Sequence, residues 1–242
     1  MNKKAKKQMS FSNRIFHIFN SIFWVVIMLI ILYPLYLVCI ASVSDPDAIV
    51  RGQVIWHPVD FSLIGYQAVF QYKELWSSYG NSIFYTFASV AISILVTLSA
   101  AYALSRPKFV GKGVINLFFV FTMFFNGGLI PTYLVISNLN MLDTIWAIIL
   151  PNAFSVWNMV LARTYYQSIP TELREASSVD GASEVIHFFK ILAPVCKPIF
   201  AVLALYQFVA MWNGYFDAMI YLNDAYKQPL QLVLRSILLQ NT

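Results

Sequence analysis

Side chains able to do chemistry are few in this sequence, and they are not gathered as catalysis would need. His17, His57 and His187 lie far apart, whereas a membrane enzyme would cluster His, Asp or Glu at one depth. Cys39 and Cys196 have no CxxC or Cys/His companion. They read as small apolar fillers rather than as a zinc site or a disulfide framework. VGKGV, beginning at Val110, places a lysine among glycines but lacks the GxxxxGK[ST] spacing that wraps backbone N–H groups around phosphates. The chain is therefore expected not to hydrolyse ATP alone. Carboxylates do recur within TELREASSVDGASEVIHFFKILAPV, Thr171 to Val195, which holds Glu172, Glu175, Asp180 and Glu184. In a partly buried interface a glutamate can form a charge-assisted bond to an arginine, stronger than a neutral one. Left in water, it contributes little.

That stretch sits in an apolar chain. Of 242 residues 59% are hydrophobic and 11% charged, against about 45–50% and about 25% in ordinary soluble domains. The composition predicts an integral membrane protein built from helices of about 20 residues each. The net charge of +5 would suggest nucleic acid or lipid in a soluble protein; here its distribution matters more.

Five apolar runs follow one another. The first, Ser21 to Ser42, is too long for a signal peptide's apolar region of about 7–15 residues. It reads as an uncleaved span, and Tyr36, Leu37 and Val38 offer no small residue for lipoprotein cleavage before Cys39. The second, Asn81 to Ser105, shows a side rich in Ser89, Ser93, Ala100 and Ala103, which lets another helix approach closely. The third runs from Val114 to about Val135 and is broken near its end by NGGLIP. Gly127, Gly128 and Pro131 there free backbone groups that protein or water must satisfy. The fourth runs from Trp146 to about Tyr165 through Pro151. The fifth, Ile199 to about Tyr221, is interrupted by WNGYFD. Between the first two, Leu63, Tyr66 and Phe70 share one face of a short interfacial helix with Ser62 as its cap. The last apolar stretch, LQLVLRSILL, is too short to span and carries Arg235.

Basic residues set the orientation. Lys3, Lys4, Lys6, Lys7 and Arg14 precede the first run; Arg106, Lys108 and Lys112 follow the second. Arg163, Arg174, Lys190 and Lys197 lie between the fourth and fifth. Only Arg51, Lys73, Lys227 and Arg235 fall on the other side. The N-terminus and the connection of about 165–198 are thus expected in the cytoplasm. The division expected is a basic cytoplasmic segment, 1–20, and a membrane domain, 21–242.

The connection is too long to be a simple link, because helix connections in bundles take about 2–8 residues. Pro170 suits a first helical turn, and Glu172 and Glu175 suit the positive end of a helix dipole. Asp180–Gly181 reads as a turn. Val185, Phe188, Phe189 and Leu192 then recur at helix spacing, and Pro194 and Pro198 end the segment. This is a helix–turn–helix whose apolar face needs a partner. The residues alone leave open whether that partner is this chain's own bundle, the headgroup layer or a soluble subunit.

Here the sequence resembles the cytoplasmic coupling motif of bacterial ABC-importer permeases. The family pattern is Glu-Ala-Ala, three residues, Gly, nine residues, then Ile, any residue, Leu-Pro. Glu175, Ala176, Ser177, Gly181, Ile191 and Pro194 follow it, with Ser177 in place of the second alanine and Ala193 in place of the leucine. Further stretches resemble the carbohydrate permeases, in particular the maltose-type second subunit: YGNSIFYT, AAYALSRPKFVGKG, GGLIPTYLV and MWNGYFDAMIYL. NGGLIPTYL is most similar to the complex-oligosaccharide subgroup.

The resemblance implies an all-α polytopic bundle of the type I importer kind in the bacterial inner membrane. Its members have six spans, so this chain is expected to hold five of them and to lack the sixth. It implies a second permease subunit, a cytoplasmic ATPase pair that alone carries ATP-Mg, and an extracytoplasmic solute-binding protein, with no cofactor or metal on this chain. Glu175 would be the polar contact to the ATPase and Gly181 the turn residue; Phe188 and Phe189 would fill or flank its cleft. Sugar suits aromatic faces beside amides and carboxylates, which selects Asn126, Asn158, Trp212, Asn213, Tyr215 and Asp217 as the path. A charge in a spanning helix costs roughly 2.5–3.5 kcal/mol on insertion scales, so Asp217 is expected to face protein or water. The motif leaves a peptide, polyol or phosphate-ester importer open. An ion-driven transporter would want ionisable residues deep in several spans, and the first four contain almost none.

Overall fold

The computed structural model describes residues 11–107 and 109–240. Lys3, Lys4, Lys6, Lys7 and Lys108, all used for the orientation, lie outside the described residues, as does the side chain of Arg14. Among the described residues every regular element is helical. The chain divides into two compact units between Tyr72 and Lys73.

In the first unit, α1 (Phe11–Ala41) starts ten residues before the apolar run and continues through Pro34. Its residues Ile15–Ala41 are long and apolar enough to cross a membrane. A loop folds back on its end. The Tyr36 hydroxyl donates to Trp56 O at 2.6 Å, and the Tyr66 hydroxyl to Ser42 Oγ at 3.1 Å. Asp45 caps α2 (Pro46–Val50), accepting from the amides of Asp47 and Ala48. The expected interfacial helix is α3 (Ile64–Gln71), and its cap position is Leu63 rather than Ser62. Ser62 Oγ instead accepts from Ile64 N at 3.4 Å, so the hydroxyl closes the turn before the helix.

The second unit is organised around α4 (Lys73–Ser105), 33 residues long and also apolar enough to span. It begins eight residues earlier than the apolar run. Its buried face is a hydroxyl ladder at helical spacing: Ser78, Ser82, Thr86, Ser89, Ser93 and Thr97. The expected small-residue side is thus present, but its lower end is Ala101 rather than Ala100 and Ala103, which are half-buried. Small side chains let α8 (Val156–Gln167) and α12 (Lys197–Asn213) lie close along α4.

The other apolar runs are broken. The third forms α5 (Lys112–Phe124) and α6 (Leu129–Asn138), bent by 115°. At about 1.5 Å per residue neither piece crosses a core of about 30 Å alone, so this run is not one straight span. The fourth run forms α7 (Trp146–Ile149) and, past Pro151, α8. The fifth forms α12 and α13 (Phe216–Tyr221), separated at Gly214. A Cβ at Gly214 would lie 3.3 Å from Ala210 O and 3.4 Å from Met211 O, so glycine permits the chain to turn tightly off the end of α12. The short stretch with Arg235 is α14 (Leu230–Gln240).

Between α8 and α12 the helix–turn–helix is present. α9 (Glu172–Val179) starts after Thr171, placing Pro170 just outside it rather than in its first turn. A continuous helical segment follows from α10 (Glu184–Ile186) through a wider π-helical stretch, His187–Leu192, to α11 (Ala193–Val195). It meets α12 at Cys196 with a bend of 84°. Pro198 stands in the first turn of α12, where a missing N–H costs no bond, and Pro194 lies in the last turn of the segment before the bend.

Candidate functional site

The loop of residues 171–195 is clamped to the lower end of α4. Gly181 has φ +75°, a left-handed conformation that suits glycine and lets Ser183 cap the next helix through Ile186 N. Glu184 then stands in the first helical turn. Its carboxylate meets the Arg174 guanidinium of α9 at 2.6 Å and the Arg106 guanidinium, just past α4, at 3.0 Å. It also accepts from the Tyr102 hydroxyl of α4. The Arg106 guanidinium lies over the Tyr102 ring, 3.9 Å from its centroid. Burial pushes the Glu184 carboxyl up, but the two guanidiniums outweigh it and hold it below the ordinary value.

A second tie crosses inside the loop. Ser177 Oγ lies 2.8 Å from His187 Nδ1, and both residues are buried. Burial holds the imidazole below its ordinary pKa, and the guanidiniums of Arg106 and Arg174 push the same way against Glu184.

The π-helical stretch splits the apolar stripe expected there. Phe188 is 8% exposed and packs edge-on against Tyr102 at 4.8 Å, inside this chain's own core with Leu192. It is therefore not free to enter a partner's cleft in this arrangement. Phe189 is 57% exposed, and Val185 is exposed beside it. Glu175, Ala176 and Pro194 are exposed and Ile191 is half-buried. A groove of about 810 Å³ opens between the α4–α5 turn and α9, lined among others by Arg106, Lys112, Leu173, Glu175 and Val179. Two connections that the basic-residue count assigns to one side of the membrane thus lie together.

A cavity of about 650 Å³ lies among α8, α12 and α13. Four of the expected path residues line it: Asn158, Asn213, Tyr215 and Asp217. Asn126 and Trp212 do not. Asn126 Oδ1 accepts from Gly128 N at 2.9 Å and shapes the turn after α5. Trp212 stacks on Phe208 and meets the edge of Tyr79.

Sequence reasoning missed Asn152, Trp157, Tyr206 and Gln207, which also line this cavity. Asn152 Nδ2 donates to Asp217 Oδ2 at 2.8 Å, and Gln207 Nε2 donates to Ser89 Oγ at 2.9 Å and Asn152 O at 3.1 Å. Gln207 had a signal, an amide in the middle of a largely apolar helical run. Glu184, Arg106 and Arg174 had none, because their ion pairs join residues up to 78 positions apart.

At the other end, Asp143 accepts from the Lys227 ammonium at 2.8 Å and from the amides of Asn223 and Asp224. The hydrogen bond from Lys227 is the main reason its carboxyl stays below the ordinary range. The clasped loop rests on α4 through Asn81 Nδ2, which donates to Tyr226 O at 2.6 Å.

Residues 93–225 match the family described as the binding-protein-dependent transport system inner membrane component. The chain is 36% identical over 227 residues to the polygalacturonan/rhamnogalacturonan transport system permease protein YtcP of Bacillus subtilis (strain 168). That likeness covers 94% of this chain and 79% of the relative. It is 35% identical over 226 residues to Protein LplC of the same organism, covering 93% and 77%. A chain in the crystal structure of a bacterial ABC transporter involved in the import of the acidic polysaccharide alginate matches with a TM-score of 0.92. Identity there is 36%, over 97% of this chain and 84% of that one.

The chain therefore belongs to the inner-membrane components of binding-protein-dependent transport systems. It is a multi-pass permease subunit of an ABC importer and not an enzyme; ATP hydrolysis belongs to a separate partner.

Proposed function

We propose that this chain forms half of the pore through which an oligosaccharide enters the cell, with its N-terminus in the cytoplasm. Its 171–195 loop docks on the ATPase, with Glu175 as the polar contact, Phe189 beside it and Gly181 setting the turn. A second permease subunit completes the pore, and an extracytoplasmic solute-binding protein delivers the sugar. ATP-Mg is held by the ATPase pair, and this chain carries no metal or cofactor.

The observation that carries the substrate reading is the cavity among α8, α12 and α13. Trp157, Tyr206 and Tyr215 line it together with the amides of Asn152, Asn158 and Asn213 and the carboxylate of Asp217, and the Arg235 guanidinium lies over the Tyr215 ring. Sugars present C–H faces to aromatic rings and hydroxyls to amides and carboxylates. The likeness to the polygalacturonan/rhamnogalacturonan permease points the same way.

The test is ATP-dependent uptake by the complete importer in proteoliposomes. Radiolabelled galacturonan, rhamnogalacturonan and alginate fragments are compared with glycerol phosphate and a dipeptide. Uptake of at least one oligosaccharide, reduced tenfold or more by Tyr215→Ala or Asp217→Asn, is expected. Uptake of glycerol phosphate or the dipeptide alone would sink the sugar reading.

A further inference from the structure

We infer that Glu184 is a positioning residue that fastens the coupling loop to α4, so that movement of the docked loop reaches the cavity. The inference rests on the docking reading above, but it concerns residues outside the docking set.

Three side chains from two separate pieces of chain, α9 and the end of α4, converge on this one carboxylate. Arg174 comes from the first helix of the loop, Arg106 from just beyond α4, and Tyr102 from the last turns of α4 itself. The Glu184 side chain is 55% exposed, so each pair by itself contributes little to stability. Geometry is what three-way convergence supplies. The carboxylate cannot shift without moving both guanidiniums, and Arg106 is held over the Tyr102 ring. Phe188, one turn on from Glu184, packs on that same ring.

From Tyr102 the route continues inside the unit. Ser89 lies thirteen residues back along α4, roughly 20 Å away along the axis. Its hydroxyl accepts from Gln207 Nε2, which also donates to Asn152 O. The Asn152 side chain then donates to Asp217 in the cavity wall. A contiguous chain of bonds is a route; coupling itself has to be measured.

The experiment uses the complete importer, purified with its ATPase subunit in a Cys39→Ser background. A Tyr206→Cys reporter is placed in the cavity wall. Its maleimide labelling rate is measured with and without ATP and vanadate, next to the amount of ATPase that co-purifies. With Glu184 intact, nucleotide is expected to change the labelling rate severalfold. Glu184→Gln and Arg106→Gln should each shrink that change at least threefold while ATPase recovery stays the same. The double variant should lose no more than either single one, as coupled partners do, and Glu184→Asp should restore part of the change.

A labelling response in Glu184→Gln equal to the parent's overturns the inference. So does a response that falls only in proportion to lost ATPase, with no rescue by Glu184→Asp, because that describes a merely structural residue. Failure of the ATPase to co-purify even with the parent would instead remove the docking reading.

Discussion

Ser177 Oγ sits 2.8 Å from His187 Nδ1, with both residues buried, and this bond joins the two helices of the 171–195 loop. Ser177 occupies the position where the permease motif has its second alanine. The hydroxyl there serves as the partner of a buried imidazole. Ser177→Ala should therefore weaken the loop by about 1–3 kcal/mol, the cost of leaving a buried polar group unpaired. Hydrogen exchange at residues 184–192 would show it as faster opening. Replacing both groups, as in Ser177→Ala with His187→Leu, should recover most of the loss.

The same imidazole makes the loop sensitive to acid. Its folded pKa lies below the ordinary 6.5, first because of burial and then because Arg106 and Arg174 repel a further positive charge, with Glu184 opposing. Below about pH 6.5 the unfolded loop therefore binds a proton that the folded loop refuses, and stability falls with pH. Glu184, whose folded pKa lies below 4.5, adds a second loss starting below that value. Exchange of the 184–192 amides should accelerate between pH 6.5 and 5 in the parent, and His187→Leu should flatten that part of the profile.

Gly181 gives a conformational prediction. Its φ is +75°, and a Cβ added there would meet nothing within 4 Å, so substitution is penalised by the backbone alone. Gly181→Val should cost about 1–2 kcal/mol, and Gly181→Asn distinctly less, because asparagine tolerates the left-handed region. Thermal unfolding of the purified complex would rank them. Equal effects would mean that the turn does not need this conformation.

At the opposite end, Asp143→Asn should keep the acceptor for the Asn223 and Asp224 amides while losing the Lys227 ion pair. Limited proteolysis should then cut faster within residues 222–228. Salt should produce the same acceleration in the parent and little more in the variant, since exposed charges are screened.

The sequence was most informative where one element carries the pattern. Glu175, Gly181 and Pro194 announce the loop by spacing, and the hydroxyls at Ser89 and Ser93 announce the packed face of α4. It was least informative where distant segments meet. The Arg106–Glu184 pair spans 78 positions, and no local periodicity foretells it. Phe188 and Phe189 look alike in a list of apolar residues at helix spacing. The π-helical stretch turns one into the core and leaves the other exposed. The cavity shows the same limit: Asn213, Tyr215 and Asp217 lie within the interrupted WNGYFD stretch, whereas Asn152 joins them only because Pro151 breaks the fourth run. Asn126, equally polar and equally near a break, serves its own turn.

The most direct measurement is recovery of an ATPase subunit with this chain from detergent-solubilised membranes, comparing the parent with Glu175→Ala and Gly181→Pro, followed by an ATPase assay. The account predicts that the subunit co-purifies with the parent and that its recovery or its coupled activity falls at least tenfold in both variants. Equal recovery and equal activity in all three would contradict the assignment of the 171–195 loop as the docking element.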